Sequence, residues 1–182
     1  MTEGLGLAAI TETPIVIVNA QRPGPATGLP TRTAQGDLQF VIWASQDEFP
    51  RFVLAPGNPT EAFETTIRAF HLSEKYQVPV IILSDQYLND SIFTAEKPLS
   101  VPERIERFIT PDGGEGYKRY ALTPDGVSPR VLPCSSDSLV ITCGNEHRED
   151  GHTSEDSLDR MNMVNKRNAK IPNMLKEMNP PR

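Results

Sequence analysis

The sequence predicts an α/β fold, a mostly parallel sheet flanked by helices with an extended Pro-rich arm, on three observations. Residues 14–18 and 78–83 are short runs made almost wholly of β-branched residues, as expected of strands covered on both faces of a parallel sheet. Residues 51–83 alternate strand, helix and strand at βαβ spacing. From Asp90 to Ser138 the periodic pattern stops, and Pro98, Pro102, Pro111, Pro124, Pro129 and Pro133 punctuate the chain.

Residues 1–12 read as the end of a helix with an apolar stripe of Leu5, Ala8 and Ala9. Gly4 and Gly6 suit close packing better than helix nucleation. Pro14 turns the chain into the first strand. The next segment can be neither strand nor helix, because Pro23, Gly24, Pro25, Gly28 and Pro30 fix φ at three positions and free it at two. A loop this stiff has little backbone entropy to lose and can hold a side chain in place. Arg22, where the strand ends, is the side chain most worth holding.

Asp37 is positioned to cap a short apolar helix containing Leu38, Phe40, Val41, Ile42 and Trp43, stopped by Pro50. Arg51 to Ala55 is the next strand. Asn58-Pro-Thr-Glu61 opens a longer helix with a capping side chain, proline in the first turn and an acid at the positive end of the dipole. Ala62, Phe63, Ile67 and Phe70 give it helical spacing as far as Tyr76. Val78 to Leu83 is the third strand.

Two readings of 94–138 compete, a disordered linker and an extended arm that wraps a neighbour. Phe108, Tyr117, Tyr120, Leu122, Val127 and Val131 are too apolar for a solvated linker and favour the arm. Leu139 to Thr142 reads as a last short strand. Ser154 or Asp156 caps a final helix with an apolar face of Leu158, Met161 and Val164. Lys166, Arg167 and Lys170 suit its negative end, and Pro172 stops it. The expected organisation is therefore 1–93, a domain portion; 94–138, the arm; and 139–182, a last strand, helix and linker.

Composition narrows the function. The chain has 182 residues, enough for one ordinary core, with 37% hydrophobic and 23% charged residues. A net charge of −6 and the lack of a basic run argue against a nucleic-acid platform. No apolar run reaches transmembrane length and no secretory pattern opens the chain, so the expectation is a cytoplasmic protein without a membrane partner. Cys134 and Cys143 are expected as free thiols. With His147 and His152 they suggest zinc, but the spacing is irregular and lacks a Cys-x-x-Cys pair, so backbone or carboxylate bonding of the histidines is preferred and no metal site is assigned. Asp85, at a C-terminal strand end, is either a ligand contact or a helix cap, and the cap is preferred.

Several stretches carry a resemblance. Ala20-Gln-Arg-Pro-Gly-Pro-Ala-Thr-Gly-Leu-Pro-Thr-Arg-Thr33 resembles the signature loop in the pyrimidine-binding domain of the α subunit of thiamine-dependent 2-oxoacid:ferredoxin oxidoreductases. Met1-Thr-Glu-Gly-Leu-Gly-Leu-Ala8, Phe52-Val-Leu-Ala-Pro56, the run from Glu74 to Leu88 and Gly144-Asn-Glu-His-Arg-Glu-Asp-Gly-His152 follow in the family's order. The resemblance covers nearly the whole chain and is nearest the 2-oxoglutarate branch. It implies a thiamine diphosphate-binding, pyrimidine-type domain that is incomplete at its N-terminus, since the family's upstream Tyr-Pro-Ile-Thr-Pro motif and aminopyrimidine-contacting glutamate are not in this sequence. It also implies a further α/β domain beyond residue 182.

The implied activity is oxidative decarboxylation of a 2-oxoacid to acyl-coenzyme A with reduction of ferredoxin. The implied cofactors are thiamine diphosphate, with magnesium and a 4Fe-4S cluster held by a partner subunit. The implied partners are a β subunit, ferredoxin, the 2-oxoacid and coenzyme A. Arg22 has the geometry to grip a carboxylate with two parallel hydrogen bonds, and the resemblance assigns it that role. Thr31 is the second candidate contact, through its hydroxyl. Gly24, Thr27, Gly28, Pro30 and Thr33 are expected to shape the loop. Ala34 stands where the family commonly has glutamate, which removes a polar contact. The rival reading is a non-catalytic assembly module in which the arm matters more than the loop. A weaker alternative is a subunit or stand-alone transketolase-like domain acting on pyruvate or another 2-oxoacid.

Overall fold

The computed structural model describes residues 1–95 and 99–178. Three parallel strands, β1 (Ile15–Gln21), β2 (Phe52–Leu54) and β3 (Pro79–Asp85), form a sheet in the order β1-β3-β2. β3 is central, and all seven of its residues are buried. Its period-two alternation divides the core between the two faces. Val80 and Ile82 pack with Phe52, Leu54, Ala69, Leu72, Tyr76 and Met174, under helices α3 (Pro59–Tyr76) and α6 (Ile171–Glu177). Ile81 and Leu83 pack with Leu5, Val41 and Ala44, under α1 (Thr2–Ile10) and α2 (Leu38–Trp43). The βαβ unit β2-α3-β3 is as the sequence predicts.

α3 owes its start to Asn58, whose side chain accepts from the Glu61 backbone N–H at 2.9 Å, and to Pro59 in the first turn. It ends at Gln77 in the left-handed region. Asp85 closes β3 and caps the short helix α4 (Gln86–Asp90) by accepting from the Leu88 N–H at 2.8 Å.

Five expectations are corrected. β1 is longer than expected but is an edge strand, with Val18 exposed, so it is not covered on both faces. α2 ends at Trp43, before Pro50, and the Asp37 side chain does not cap it because it accepts from Asn19 Nδ2. Residues 139–142 form no strand; Leu139 is exposed, and β-branched residues make a strand only where a sheet edge receives them. Pro172 starts α6 instead of ending a helix, as proline does in a first turn where its missing N–H is not needed. In α5 (Ser157–Asn168), capped by Asp156, Leu158 and Met161 are exposed, while Met163, Lys166 and Arg167 are buried.

Residues 99–156 contain no regular helix or strand, yet Tyr120 and Val131 are buried in the chain's own fold. The Tyr117 hydroxyl accepts from the Val131 N–H and donates to the Pro129 carbonyl, and Arg130 pairs with Glu74 on α3. Pro98 and the linker expected at 179–182 lie outside the described residues.

A charged knot joins this region to the core. Glu12, at φ +48° in the turn from α1 into β1, is fully buried. Its two carboxylate oxygens accept from Lys166 Nζ at 2.5 Å and Lys170 Nζ at 2.6 Å. Lys170 also reaches the Gln77 carbonyl, and Arg119 donates to the Glu12 carbonyl at 2.8 Å. Glu146 receives both Arg167 Nη atoms.

Candidate functional site

The loop at residues 22–37 rises from the C-terminal end of β1, where open parallel sheets place their ligands. Its return end is fastened to the sheet. Gln21, paired with Asp85 in the β1–β3 register, accepts from the Asp37 N–H at 3.1 Å, and Asn19 Nδ2 donates to Asp37 Oδ2 at 2.9 Å. Gln35 Nε2 donates to Asp85 Oδ2 at 2.7 Å. The hydrogen bond from Gln35, then that from the Leu88 N–H, hold the Asp85 carboxyl below its ordinary range.

Between these anchors the loop is exposed. Thr31 sits at φ +55° with Arg32 Nη1 donating to its carbonyl at 3.0 Å. Thr31, Arg32 and Thr33 form one wall of a groove of about 510 Å³, and Gln86, Tyr87 and Asp90 of α4 with Ser91 and Ile92 form the other. Arg22 stands at the first position after β1, exposed, outside that lining, and without a hydrogen bond among the described residues. The two candidate carboxylate contacts thus share one loop, with Thr31 alone in the groove wall.

Of the residues expected to shape the loop, Gly28 has the plainest geometric requirement. It adopts φ +54°, and a Cβ there would stand 1.9 Å from the Pro23 carbonyl oxygen. A Cβ at Gly24 would meet nothing within 4 Å. Thr27 and Pro30 are exposed. Gly28→Ala forces the loop open, by about 1–2 kcal/mol for the left-handed backbone alone. Limited proteolysis should then cut within 22–37 faster than in the unaltered chain, with the far-ultraviolet circular dichroism unchanged.

Sequence reasoning missed Gln35 and Asn19, which bear no motif but hold the loop to the sheet. The polarity of Asn19, Gln21 and Gln35 around a strand end was the available signal. His147 Nδ1 lies 3.2 Å from the Asn145 carbonyl and His152 Nδ1 3.3 Å from Asp150 Oδ2. Cys134 and Cys143 are free. Among the described residues no group of three or more His, Cys, Asp or Glu side chains is placed to hold a metal ion.

An open parallel sheet with a stiff, anchored loop over its C-terminal strand ends is an α/β ligand-binding domain. Residues 1–166 match the family model described as "Pyruvate flavodoxin/ferredoxin oxidoreductase, thiamine diP-bdg", and the chain belongs to that family. It is 45% identical over 174 residues to the α subunit of 2-oxoacid:ferredoxin oxidoreductase 1 of Sulfurisphaera tokodaii, covering 94% of this chain and 27% of that one. It is 36% identical over 169 residues to the 2-oxoglutarate synthase subunit KorA of Methanocaldococcus jannaschii, covering 82% of this chain and 46% of the relative. Among solved structures it is similar to the 2-oxoglutarate:ferredoxin oxidoreductase of Magnetococcus marinus with 2-oxoglutarate, coenzyme A and succinyl-CoA bound. The TM-score is 0.88 and the identity 36%, over 99% of this chain and 32% of that one. The chain therefore spans about a quarter to a half of the curated relatives' length.

The family binds thiamine diphosphate, and the groove can be tested against it. A magnesium diphosphate requires several cations or metal-holding carboxylates. Among the described residues the groove lining offers Arg32 and Asp90 as its charged side chains, and Asp90 accepts from Gln86. These residues do not fit the diphosphate end of the cofactor. Their hydroxyls, amide and guanidinium fit a small carboxylate.

Proposed function

We propose that this chain is the substrate-orienting portion of an α subunit in a 2-oxoacid:ferredoxin oxidoreductase, acting on 2-oxoglutarate. The observation that carries this reading is the likeness, in fold and sequence together, to the Magnetococcus marinus enzyme that holds 2-oxoglutarate. The exposed Arg22 and Thr31 on one anchored loop support it. Thiamine diphosphate, when bound, supplies the electron sink for decarboxylation.

This chain's residues perform a narrower task. The Arg22 guanidinium grips a substrate carboxylate with two parallel hydrogen bonds, and the Thr31 hydroxyl donates a third that fixes its tilt. Gly24, Thr27, Gly28, Pro30 and Thr33 shape the loop that carries both residues. The diphosphate, magnesium and a 4Fe-4S cluster belong to a partner β subunit, ferredoxin takes the electrons and coenzyme A the acyl group. Residues 1–93 supply the site, 94–138 contribute to subunit contact while Tyr120 and Val131 hold them to this chain, and 139–182 complete this portion of the α subunit. The setting is the cytoplasm; no helix among the described residues is long and apolar enough to cross a membrane.

The test is a substrate panel on the full-length α subunit co-expressed with its β subunit. Coenzyme A-dependent reduction of a viologen dye should proceed with a kcat/KM at least about tenfold higher for 2-oxoglutarate than for pyruvate or a branched-chain 2-oxoacid, one extra charge-assisted bond's worth of discrimination. A stable complex inactive on every 2-oxoacid would sink the catalytic reading and leave the assembly module.

A further inference from the structure

Both walls of the groove hang on one carboxylate. Asp85 ends the central strand, with an exposure of only 7%. Its Oδ1 accepts from the Leu88 N–H and so starts α4, the helix that carries Gln86, Tyr87 and Asp90. Its Oδ2 accepts from Gln35 Nε2, four residues beyond Thr31, with the Thr33 hydroxyl beside it. The other ties, Gln21 and Asn19 to Asp37, act at the far end of the loop and leave residues 31–36 to Asp85.

We propose that the Asp85–Gln35 bond is a clasp that sets the width of the groove and the position of Thr31, making Asp85 a positioning residue for the 2-oxoacid. The inference rests on the substrate reading given above. It differs from it in assigning a role to residues that touch neither substrate nor cofactor. A carboxylate suits the task because it accepts at both oxygens, whereas an amide in its place must turn a donor toward one of the two walls. Cut on the Oδ2 side, the loop keeps its Asp37 anchor and its fold but loses the fixed separation from α4. Misplacement of a substrate contact by about 1 Å is enough to lower the rate or affinity by an order of magnitude or more.

The polarity of the clasp can be reversed without changing net charge. In Asp85→Asn the amide oxygen still caps α4, and the Gln35 amide has to turn its oxygen toward the new NH2 group, so the charge-assisted bond is replaced by a weaker neutral one. Adding Gln35→Glu restores a charge-assisted N–H···O bond running the other way. In the full-length α subunit assembled with its β subunit, D85N should raise the KM for the 2-oxoacid about tenfold, the loss of one hydrogen bond to a charged group. The KM for coenzyme A should not change and kcat should stay within about twofold. D85N/Q35E should return the KM to within about threefold of the parent. Tryptic cleavage after Arg32, in the exposed stretch the clasp holds, should quicken about tenfold in D85N and recover in the double variant. Gln35→Ala, at an exposed position outside the core, should reproduce the faster cleavage.

Unchanged cleavage and unchanged KM in both D85N and Gln35→Ala overturn the proposal, as does a double variant no better than D85N. Cleavage that follows the clasp while neither D85N nor Arg22→Ala moves the 2-oxoacid KM would keep the clasp as a loop anchor, overturn its role in substrate positioning and sink the substrate reading itself. A KM that responds to Arg22→Ala but not to D85N sinks the clasp's positioning role alone.

Discussion

Glu12→Gln is expected to lower the unfolding free energy by about 3–5 kcal/mol, because it strands buried ammonium groups without a counter-charge. The substitution preserves the shape of the side chain and removes only its charge. Lys166 and Lys170 are buried and both point at Glu12, and Arg119 is bound to the neighbouring backbone. Burial alone would raise the Glu12 carboxyl, but Lys170 and Lys166 more than offset it and bring its pKa down to about 2. Burial dominates at Lys166, whose pKa falls to about 8 despite Glu12. The asymmetry follows from one carboxylate serving two ammonium groups.

The pH dependence has a definite sign. A carboxylate held at about 2 in the fold and 4.5 when unfolded stabilises fully above 4.5, and that stability disappears as pH falls toward about 2. Lys166 has the same sign in a different window. Its ammonium is disfavoured in the fold, so its share of stability rises between about pH 8 and 10.5. Urea denaturation at pH 7, 4.5 and 2.5 should show the parent losing most of its advantage over Glu12→Gln at the lowest pH. Adding Lys166→Met to Glu12→Gln should recover part of the loss at pH 7, since one stranded charge is removed. Equal stability of parent and variant at pH 7 would mean that the knot contributes nothing net.

What could be read in advance was local. The run from Val78 to Leu83 declared a strand because both of its alternating faces are apolar, and Asn58-Pro59 declared a helix start because cap and proline act within one turn. The knot was not legible, since Glu12 meets its lysines 154 and 158 residues away and no periodicity links them. Lys166, Arg167 and Lys170 therefore read as helix-end charges, while the apolar spacing of Leu158 and Met161 mimicked a core face. Residues 139–142 carried strand propensity but lacked an edge to pair with. At the site, Arg22, Thr31 and the requirement for Gly28 were visible as residue types in a stiff loop. The fastening was not, because Gln35 reaches Asp85 across 50 residues.

The most direct test of the central claim is the response of the assembled enzyme to Arg22→Ala. Arg22 is exposed beyond β1, so its loss leaves the core and the loop anchors intact, and folding effects are small. A bidentate charge-assisted pair to a carboxylate contributes about 3 kcal/mol, so kcat/KM for 2-oxoglutarate should fall by about a hundredfold. Arg22→Lys should recover little, because an ammonium cannot reproduce the two parallel bonds. The measurement is the KM for 2-oxoglutarate and for coenzyme A in the dye-reduction assay, parent against Arg22→Ala. A large rise for the 2-oxoacid with coenzyme A unchanged is the predicted result; equal kinetics in parent and variant would contradict the account.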